Sequence, residues 1–156
     1  SNAEADLIIN LQGDMPNIDP TSIINLEKFM RNEKCDIGTL ASVIKSKDEI
    51  EDPNIVKLEV DKDLNDNNFL EVKDFFRTST NLEDKKIYHH IGVYAYTNLA
   101  LSKYVKLLRS KLEIERNLEQ MRAMENSIKI KVAFSRFSPL GVDTEQDLKK
   151  VIKEMN

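Results

Sequence analysis

The fold is decided by the stretch Ala5-Asp6-Leu7-Ile8-Ile9-Asn10-Leu11-Gln12-Gly13-Asp14. Its first half is a near-continuous apolar run, which is typical of a strand buried on both faces. The glycine, together with the prolines at positions 16 and 20, predicts a loop after this strand. Asp19 before Pro20 has the form of a helix N-cap followed by a first-turn proline, so we expect a helix from there to about Arg31. A buried strand, a loop and a covering helix indicate an α/β domain.

The rest of the chain continues to alternate strands and helices. Strand character is found in residues 36–44, 55–60, 87–96 and 128–134, while 69–72 is expected to return as the hairpin partner of 55–60 and 75–86 to form a loop. Helices are expected from Thr97 or Asn98, over 112–126, and after a capping box formed by Thr144 and Asp147. Hairpins are antiparallel and crossover helices favour parallel strands. The sequence therefore predicts an α/β fold with a mixed sheet and flanking helices.

Within the strand at 55–60, apolar and polar residues alternate with a period of two. This pattern predicts that Val56, Leu58 and Val60 face the core, whereas Lys57 and Glu59 face water. We therefore expect a half-exposed strand. By the same alternation, His89 is expected to be exposed if its neighbour His90 faces inward.

Composition excludes several classes of protein. The 156 residues correspond to one domain, and 23 basic against 27 acidic side chains give a net charge of −4, so no sequence-wide bias toward nucleic acid or an anionic membrane exists. The single cysteine, Cys35, excludes an intramolecular disulfide and a cysteine-cluster zinc site. No apolar run approaches the roughly 18 residues needed to cross a bilayer. We expect a cytoplasmic protein.

The amino terminus indicates that the native sequence begins near Glu4. Ser1-Asn2-Ala3 has the form of a scar left by a cleaved expression tag and is set apart from the fold. A domain seldom opens on a strand buried on both faces. We therefore expect residues 4–156 to be the carboxyl-terminal portion of a single larger domain.

The chemistry is expected at Gln12-Gly13-Asp14, because ligands of open α/β sheets bind beyond the carboxyl ends of the strands. Gly13 permits a close approach of backbone to ligand, and Asp14 offers a carboxylate for Mg²⁺, which usually takes one or two protein carboxylates. The residues alone leave open a second interpretation, a tight turn in which Asp14 only caps backbone amides.

Five stretches of the chain resemble motifs of one enzyme family, in the same order. Ile9 to Ile18 resembles the V-Q-G-D-x-P-x-I motif of the CMP-Kdo synthetases, the 3-deoxy-manno-octulosonate (Kdo) cytidylyltransferases. The other four are Phe75-Phe76-Arg77 (F-S-R), His90 to Tyr96 (H-x-G-x-Y-x-Y/F), Ser110 to Arg122 (S-P-L-E…L-E-Q-L-R) and Gly141 to Leu148 (G-V-D-T-x-x-D-L). The resemblance implies a truncated part of a nucleotide-diphospho-sugar-transferase-like, Rossmann-like domain.

The resemblance also implies a reaction and a set of site residues. CMP would be moved from CTP to Kdo, giving CMP-Kdo and diphosphate for lipopolysaccharide biosynthesis. Asp14 and Asp143 would be the catalytic carboxylates that hold Mg²⁺, on the order of 5 to 8 Å apart. The substrate-binding residues would be Gln12 on nucleotide or sugar, Arg77 on the sugar carboxylate, His90 and Gln120 as hydrogen-bond donors, and Glu119 as an acceptor.

Departures from the family motifs limit what the resemblance implies. The family's R-x-x-S-x-R-x-P-G-K phosphate-gripping loop has no counterpart in this sequence, so the chain alone is expected to be inactive. Lys111, Arg116 and Phe76 replace usual family residues near the sugar pocket, which leaves a cytidylyltransferase for another sugar acid as an alternative. A second alternative is a non-catalytic dimerisation module, because family members are dimers and the helices after Thr97 are amphipathic.

Overall fold

The computed structural model describes residues 5–78, 82–139, 141, 142 and 145–155. The strands are β1 (Leu7–Asn10), β2 (Ile37–Ser42), β3 (Lys57–Val60), β4 (Phe69–Glu71), β5 (Asp74–Phe76), β6 (Lys86–Thr97) and β7 (Ile130–Phe134). The helices are α1 (Pro20–Asn32), α2 (Lys47–Glu51), α3 (Asn98–Tyr104), α4 (Lys111–Arg116), α5 (Gln120–Glu125) and α6 (Glu145–Met155). The predicted α/β fold with a mixed sheet and flanking helices is confirmed.

The long strand β6 is the spine of the sheet. The strands follow the order β4-β7-β2-β6-β3-β5, and β1 also pairs with β6. Only β2 and β7 are parallel; the other described pairs are antiparallel. One apolar cluster forms on each face of this sheet, one beneath α1 and the other beneath the segment that carries α3, α4 and α5.

The first strand and helix form as their sequence predicts. The Asp19 side chain accepts a hydrogen bond from the backbone N–H of Thr21 at 2.9 Å, and Pro20 is the first helical residue. Leu26 and Met30 of α1 are buried against β2, where a Cβ on Gly38 would lie 2.7 Å from the Met30 sulfur. The Met30 and Leu26 side chains would have to shift if residue 38 carried a Cβ, so glycine lets the helix and the strand pack closely here. β1 itself is half-buried rather than fully buried, because within the described chain it pairs with β6 alone.

Two predictions of local pairing are wrong. Residues 69–71 do not return against β3: they form β4, which pairs with β7 at the far side of the sheet. β3 instead pairs with β5 on one side and with β6 on the other, and β5 overlaps the start of the segment 75–86 that was expected to be a loop. Register between strands depends on contacts distant in sequence, and a short apolar run carries no label that identifies its partner.

The helix expected over 112–126 is broken into α4 and α5. Asn117 ends α4 in the left-handed conformation, with φ of 52°, which asparagine tolerates better than most residues. The Thr97 cap is confirmed, since its hydroxyl accepts the Ala100 N–H at 3.1 Å. Among the described residues no helix is both long and apolar enough to span a membrane.

Candidate functional site

The candidate site lies in a gap along one side of β6. β1 pairs with Tyr94–Thr97 of that strand and β3 with Lys86–His89, so residues 90–93 lie between the two partners. The carboxyl end of β1 and the amino end of β3 flank this gap. A cavity of about 980 Å³ opens there. Six of the seven residues implied by the resemblance line it: Gln12, Asp14, Arg77, His90, Glu119 and Gln120.

Gly92 lies in the gap opposite the loop that follows β1. A Cβ at this position would meet the Gln12 side-chain oxygen and the Met15 methyl group at 3.9 Å. The β2–β6 register shifts between Thr39 and Leu40, which is a bulge next to the same glycine. Bulges are common beside active sites because they redirect side chains. Here the bulge lies beside the cavity, which Ile91 and Gly92 line.

Asp14 is exposed at the mouth of the cavity, at the carboxyl end of the first strand. Its backbone carbonyl accepts a hydrogen bond from the Val142 N–H at 2.8 Å, which ties the last family-like motif to this loop. Asp143 lies outside the described residues, so the predicted distance between the two carboxylates remains a prediction. Within the described ranges no cluster of three or more His, Cys, Asp or Glu side chains suits a metal. A site built from two carboxylates and substrate phosphates, which fits Mg²⁺, needs no such cluster.

His90 is buried in the wall of the cavity. Its Nε2 lies 3.0 Å from the Thr39 hydroxyl, and its ring packs against Phe75 and Tyr94, with ring centroids 5.1 and 5.5 Å away. Burial lowers the pKa of His90 to about 3, with a smaller contribution from neighbouring His89. The ring is therefore neutral at ordinary pH.

His89 is not exposed, contrary to the sequence-based expectation. Its side chain is 20% exposed, and its Nδ1 lies 3.5 Å from a Glu49 carboxylate oxygen and 3.4 Å from the Ser138 hydroxyl. Strand alternation does point it away from His90, but α2 and the segment after β7 cover that face. Burial lowers the pKa of His89, and the Glu49 carboxylate opposes that shift.

Arg77 lies at the rim of the cavity in a fixed geometry. Its Nη1 donates hydrogen bonds to the carbonyl oxygens of Pro53 and Asn54, both at 3.1 Å. The remaining guanidinium nitrogens are free of any described protein acceptor. A guanidinium held in this way can receive a carboxylate with its remaining donors.

Lys57 is a residue of the site that sequence reasoning placed wrongly. Predicted to face water, it is fully buried, and its Nζ donates to the carbonyl oxygens of Asp52 and Arg77 at 2.6 Å each. The face of β3 that carries Lys57 is covered by the segment before β3 and by the residue after β5, whose Asp52 and Arg77 carbonyl groups receive the ammonium. Burial lowers the pKa of the Lys57 ammonium, whereas the Asp52 carboxylate opposes the shift. Lys57 thus fastens the backbone of Arg77 to the loop that holds the Arg77 guanidinium.

Glu119 and Gln120 reach the cavity from the start of α5, and an ion pair between the two helices positions them. Glu113 of α4 is buried and receives bidentate hydrogen bonds from Arg122 of α5, whose guanidinium also lies 5.1 Å from the centre of the Tyr104 ring. The Tyr104 hydroxyl in turn donates to the Glu119 carbonyl at 3.0 Å. Glu113 and Arg122, both in the family-like motif from Ser110 to Arg122, therefore fix the geometry of that segment and do not line the cavity.

Glu113→Gln is expected to lower the melting temperature at neutral pH, because Arg122 loses its charged partner inside the protein. The pKa of Glu113 is lowered from 4.5 to about 2, chiefly by hydrogen bonding from Arg122. The stabilisation is therefore complete above about pH 4.5 and is lost as the pH falls toward about 2. Thermal unfolding followed by circular dichroism across this range checks the effect.

The matched control is Glu115→Gln on the same helix, where a 53% exposed carboxylate pairs with Lys111 and little change is expected. A difference between wild type and Glu113→Gln that stayed constant from neutral pH to pH 2 would contradict the assigned role of the ion pair.

A mixed sheet with its cavity at the carboxyl end of the first strand is the fold of the nucleotide-sugar transferases. A cytidylyltransferase family model matches residues 1–130, and the chain belongs to that family. The structure of CMP:2-keto-3-deoxy-manno-octonic acid synthetase complexed with CTP superposes with a TM-score of 0.85 at 34% identity, covering 97% of this chain and 62% of that one. A 4-diphosphocytidyl-2C-methyl-D-erythritol synthase from Anaerococcus prevotii, at a TM-score of 0.56 and 11% identity, covers 99% of this chain and 61% of its own and shares the fold alone.

Curated relatives support the resemblance seen in the motifs. The chain is 44% identical to the 3-deoxy-manno-octulosonate cytidylyltransferase of Bartonella tribocorum, over 94% of this chain and 59% of the relative. It is 41% identical to that of Brucella ovis, over 93% of this chain and 57% of the relative. The resemblance to the CMP-Kdo synthetases is confirmed. The chain spans about three-fifths of the length of these relatives.

Proposed function

We propose that the full-length protein is a 3-deoxy-manno-octulosonate cytidylyltransferase that forms CMP-Kdo for lipopolysaccharide biosynthesis. The observation that carries the proposal is the convergence of Gln12, Asp14, Arg77, His90, Glu119 and Gln120 on one cavity. These residues come from four separate stretches of sequence. The identity of 44% with a relative of that name supports the same conclusion.

In the proposed reaction the anomeric hydroxyl group of Kdo gives up its proton to the solvent and its oxygen bonds to the α-phosphorus of CTP. The bond from that phosphorus to the bridging oxygen breaks, and diphosphate leaves. Arg77 would bind the sugar carboxylate, while Glu119 and Gln120 would orient the hydroxyl groups. Asp14, together with Asp143, would hold Mg²⁺. When bound, the ion would offset the negative charge of the phosphates.

The isolated chain is proposed to be inactive. Lys45 and Arg77 are the lysine and arginine residues found among the described lining residues, whereas the acidic ones are Asp14, Glu49, Asp52 and Glu119. A lining with two basic and four acidic side chains repels a triphosphate. The family's phosphate-gripping loop, which would supply further cations, has no counterpart in this sequence. The domain limits of 4–156 and a cytoplasmic location remain proposals; the single cysteine and the use of CTP favour the latter.

Release of diphosphate tests the proposed activity and its sugar. The full-length protein is expected to release diphosphate with CTP and Kdo in the presence of Mg²⁺, and to stop when the ion is chelated. Higher kcat/KM with a different sugar acid than with Kdo would favour the alternative cytidylyltransferase. Absence of turnover with every sugar acid would favour the non-catalytic dimerisation module.

A homodimer is the proposed assembly, and the chain is expected not to be a monomer. Large apolar side chains are exposed on and after α3 and on α4: Leu99 (65%), Val105 (65%), Leu108 (89%) and Ile114 (60%). At about 25 cal/mol per Å² of apolar surface, covering such a face stabilises association by several kcal/mol, and two-fold dimers are the commonest solution.

Light scattering at micromolar concentration checks the assembly. The expected mass is twice 18.0 kDa, and Leu108→Glu is expected to yield the monomer. Ile24→Glu is the control, since Ile24 is an exposed apolar residue too, at 49%, but lies on α1, away from this face. A wild-type mass near 18.0 kDa would contradict the prediction.

A further inference from the structure

We propose that the Thr39 hydroxyl fixes His90 as the tautomer protonated on Nε2, so that Nδ1 accepts a hydrogen bond from a hydroxyl group of the sugar substrate. The identity of that substrate as a sugar acid rests on the proposed function. The direction of this hydrogen bond is opposite to the donor role that the family resemblance implies for His90. Thr39 is a positioning residue, and it lies outside the five family-like motifs.

The bulge in β6 determines where the Thr39 hydroxyl directs its proton. Thr39 of β2 is fully buried at the register shift, and its hydroxyl oxygen lies 2.8 Å from the Val93 carbonyl oxygen and 3.3 Å from the Ile91 carbonyl oxygen. Carbonyl oxygens can only accept hydrogen bonds. The single hydroxyl proton is therefore directed at these carbonyl groups, above all that of Val93.

The hydrogen bond between the Thr39 hydroxyl and His90 Nε2 can have only one direction. Because the Thr39 hydroxyl donates its proton to the Val93 carbonyl oxygen, its oxygen has only lone pairs to offer His90. His90 Nε2 lies 3.0 Å from that oxygen. Two lone pairs facing each other at that distance inside the protein would leave both groups unsatisfied. Nε2 must therefore carry the proton and donate it to Thr39.

The other ring nitrogen of His90, Nδ1, is left as a hydrogen-bond acceptor. The buried ring is neutral, so a proton on Nε2 leaves Nδ1 with a lone pair and no proton. Among the described residues Nδ1 has no hydrogen-bond partner, and His90 lines the cavity. The contacts with Phe75 and Tyr94 hold the plane of the ring.

The consequence is a preference for substrates that donate hydrogen bonds. Glu119 lines the same cavity and, as a carboxylate, also only accepts. These two acceptors favour binding of a sugar acid that carries several hydroxyl groups. A substrate that lacks the matching hydroxyl group would leave Nδ1 unpaired. His90 and Glu119 together thus select among sugar acids.

Long-range ¹H–¹⁵N spectra of the histidine rings test the tautomer directly. The chain contains only two histidines, so His89→Asn assigns both sets of signals. From about pH 5 to about pH 8, where an ordinary imidazole titrates, His90 is expected to stay neutral with Nε2 protonated. Thr39→Val is expected to mix the two tautomers, and Thr39→Ser to restore the single form. A proton on Nδ1, or a charged ring at neutral pH, would overturn the proposal.

The substrate contact is tested in the full-length protein. Kdo is expected to shift the Nδ1 signal and to leave the protonation of Nε2 unchanged. Thr39→Val is expected to raise the KM for Kdo about threefold to tenfold with kcat little changed, and Thr39→Ser to stay near wild type. An unmoved Nδ1 signal in a protein that forms CMP-Kdo would overturn the contact. The predicted tautomer in a protein that forms no CMP-Kdo would instead refute the proposed function alone.

Discussion

Replacing Asp14 by asparagine in the full-length protein is expected to lower kcat by at least about 100-fold, because electrostatic stabilisation at a transferring phosphoryl group is usually a leading catalytic effect. Asparagine keeps the size of the side chain and removes its charge. The bond from Val142 N–H to residue 14 uses the backbone carbonyl and survives the change. The melting temperature should therefore barely move, while turnover, measured by diphosphate release, collapses.

Asp19→Ala is the matched control, since Asp19 lies in the same loop but caps α1. Loss of the cap should cost about 1 kcal/mol of stability and leave turnover near wild type. If Asp14→Asn retained wild-type turnover, Asp14 would be only a turn residue, as the residues alone allow.

Replacing Arg77 by alanine is expected to reduce kcat/KM for Kdo by about 10-fold to 100-fold, mainly through KM, because hydrogen bonds between charged groups are the strong ones. The KM for CTP should change little. Arg77→Lys is expected to recover only part of the loss. A lysine ammonium offers a single point of charge and cannot both hold the carbonyl groups of Pro53 and Asn54 and present a second donor face.

Arg136→Ala is the control for a general loss of positive charge. Arg136 is 70% exposed, pairs with Asp66 and does not line the cavity. Its removal should leave steady-state kinetics unchanged. A wild-type KM for Kdo in Arg77→Ala would show that Arg77 does not bind the sugar carboxylate.

Sequence predicted the elements whose signals are local. Neighbouring residues alone predict three features that the structure contains: the Asp19 cap with Pro20, the Thr97 cap, and the alternating strand that ends at Phe134. The partner of Phe69–Glu71 was missed because strand pairing is decided by packing across the whole sheet. The break at Asn117 was missed because the apolar pattern continues through it.

The motifs found the lining of the cavity but not what holds it. The sequence pattern does not single out Thr39, and it predicts that Lys57 faces water. The role of Thr39 depends on the bulge in β6, and that of Lys57 on the backbone carbonyl groups of Asp52 and Arg77. A lysine between Val56 and Leu58 is part of the alternation itself, so no local signal marks its burial. Buried polar supports of this kind are specified by tertiary structure and leave little trace in a single sequence.

The proposed cytidylyl transfer is tested by ³¹P NMR of the full-length protein and of this chain, each incubated with CTP, Kdo and Mg²⁺. We expect the full-length protein to convert CTP into one equivalent each of the CMP-Kdo phosphodiester and diphosphate, whereas the isolated chain leaves CTP unchanged. A full-length protein that folds yet yields no phosphodiester signal would contradict the account.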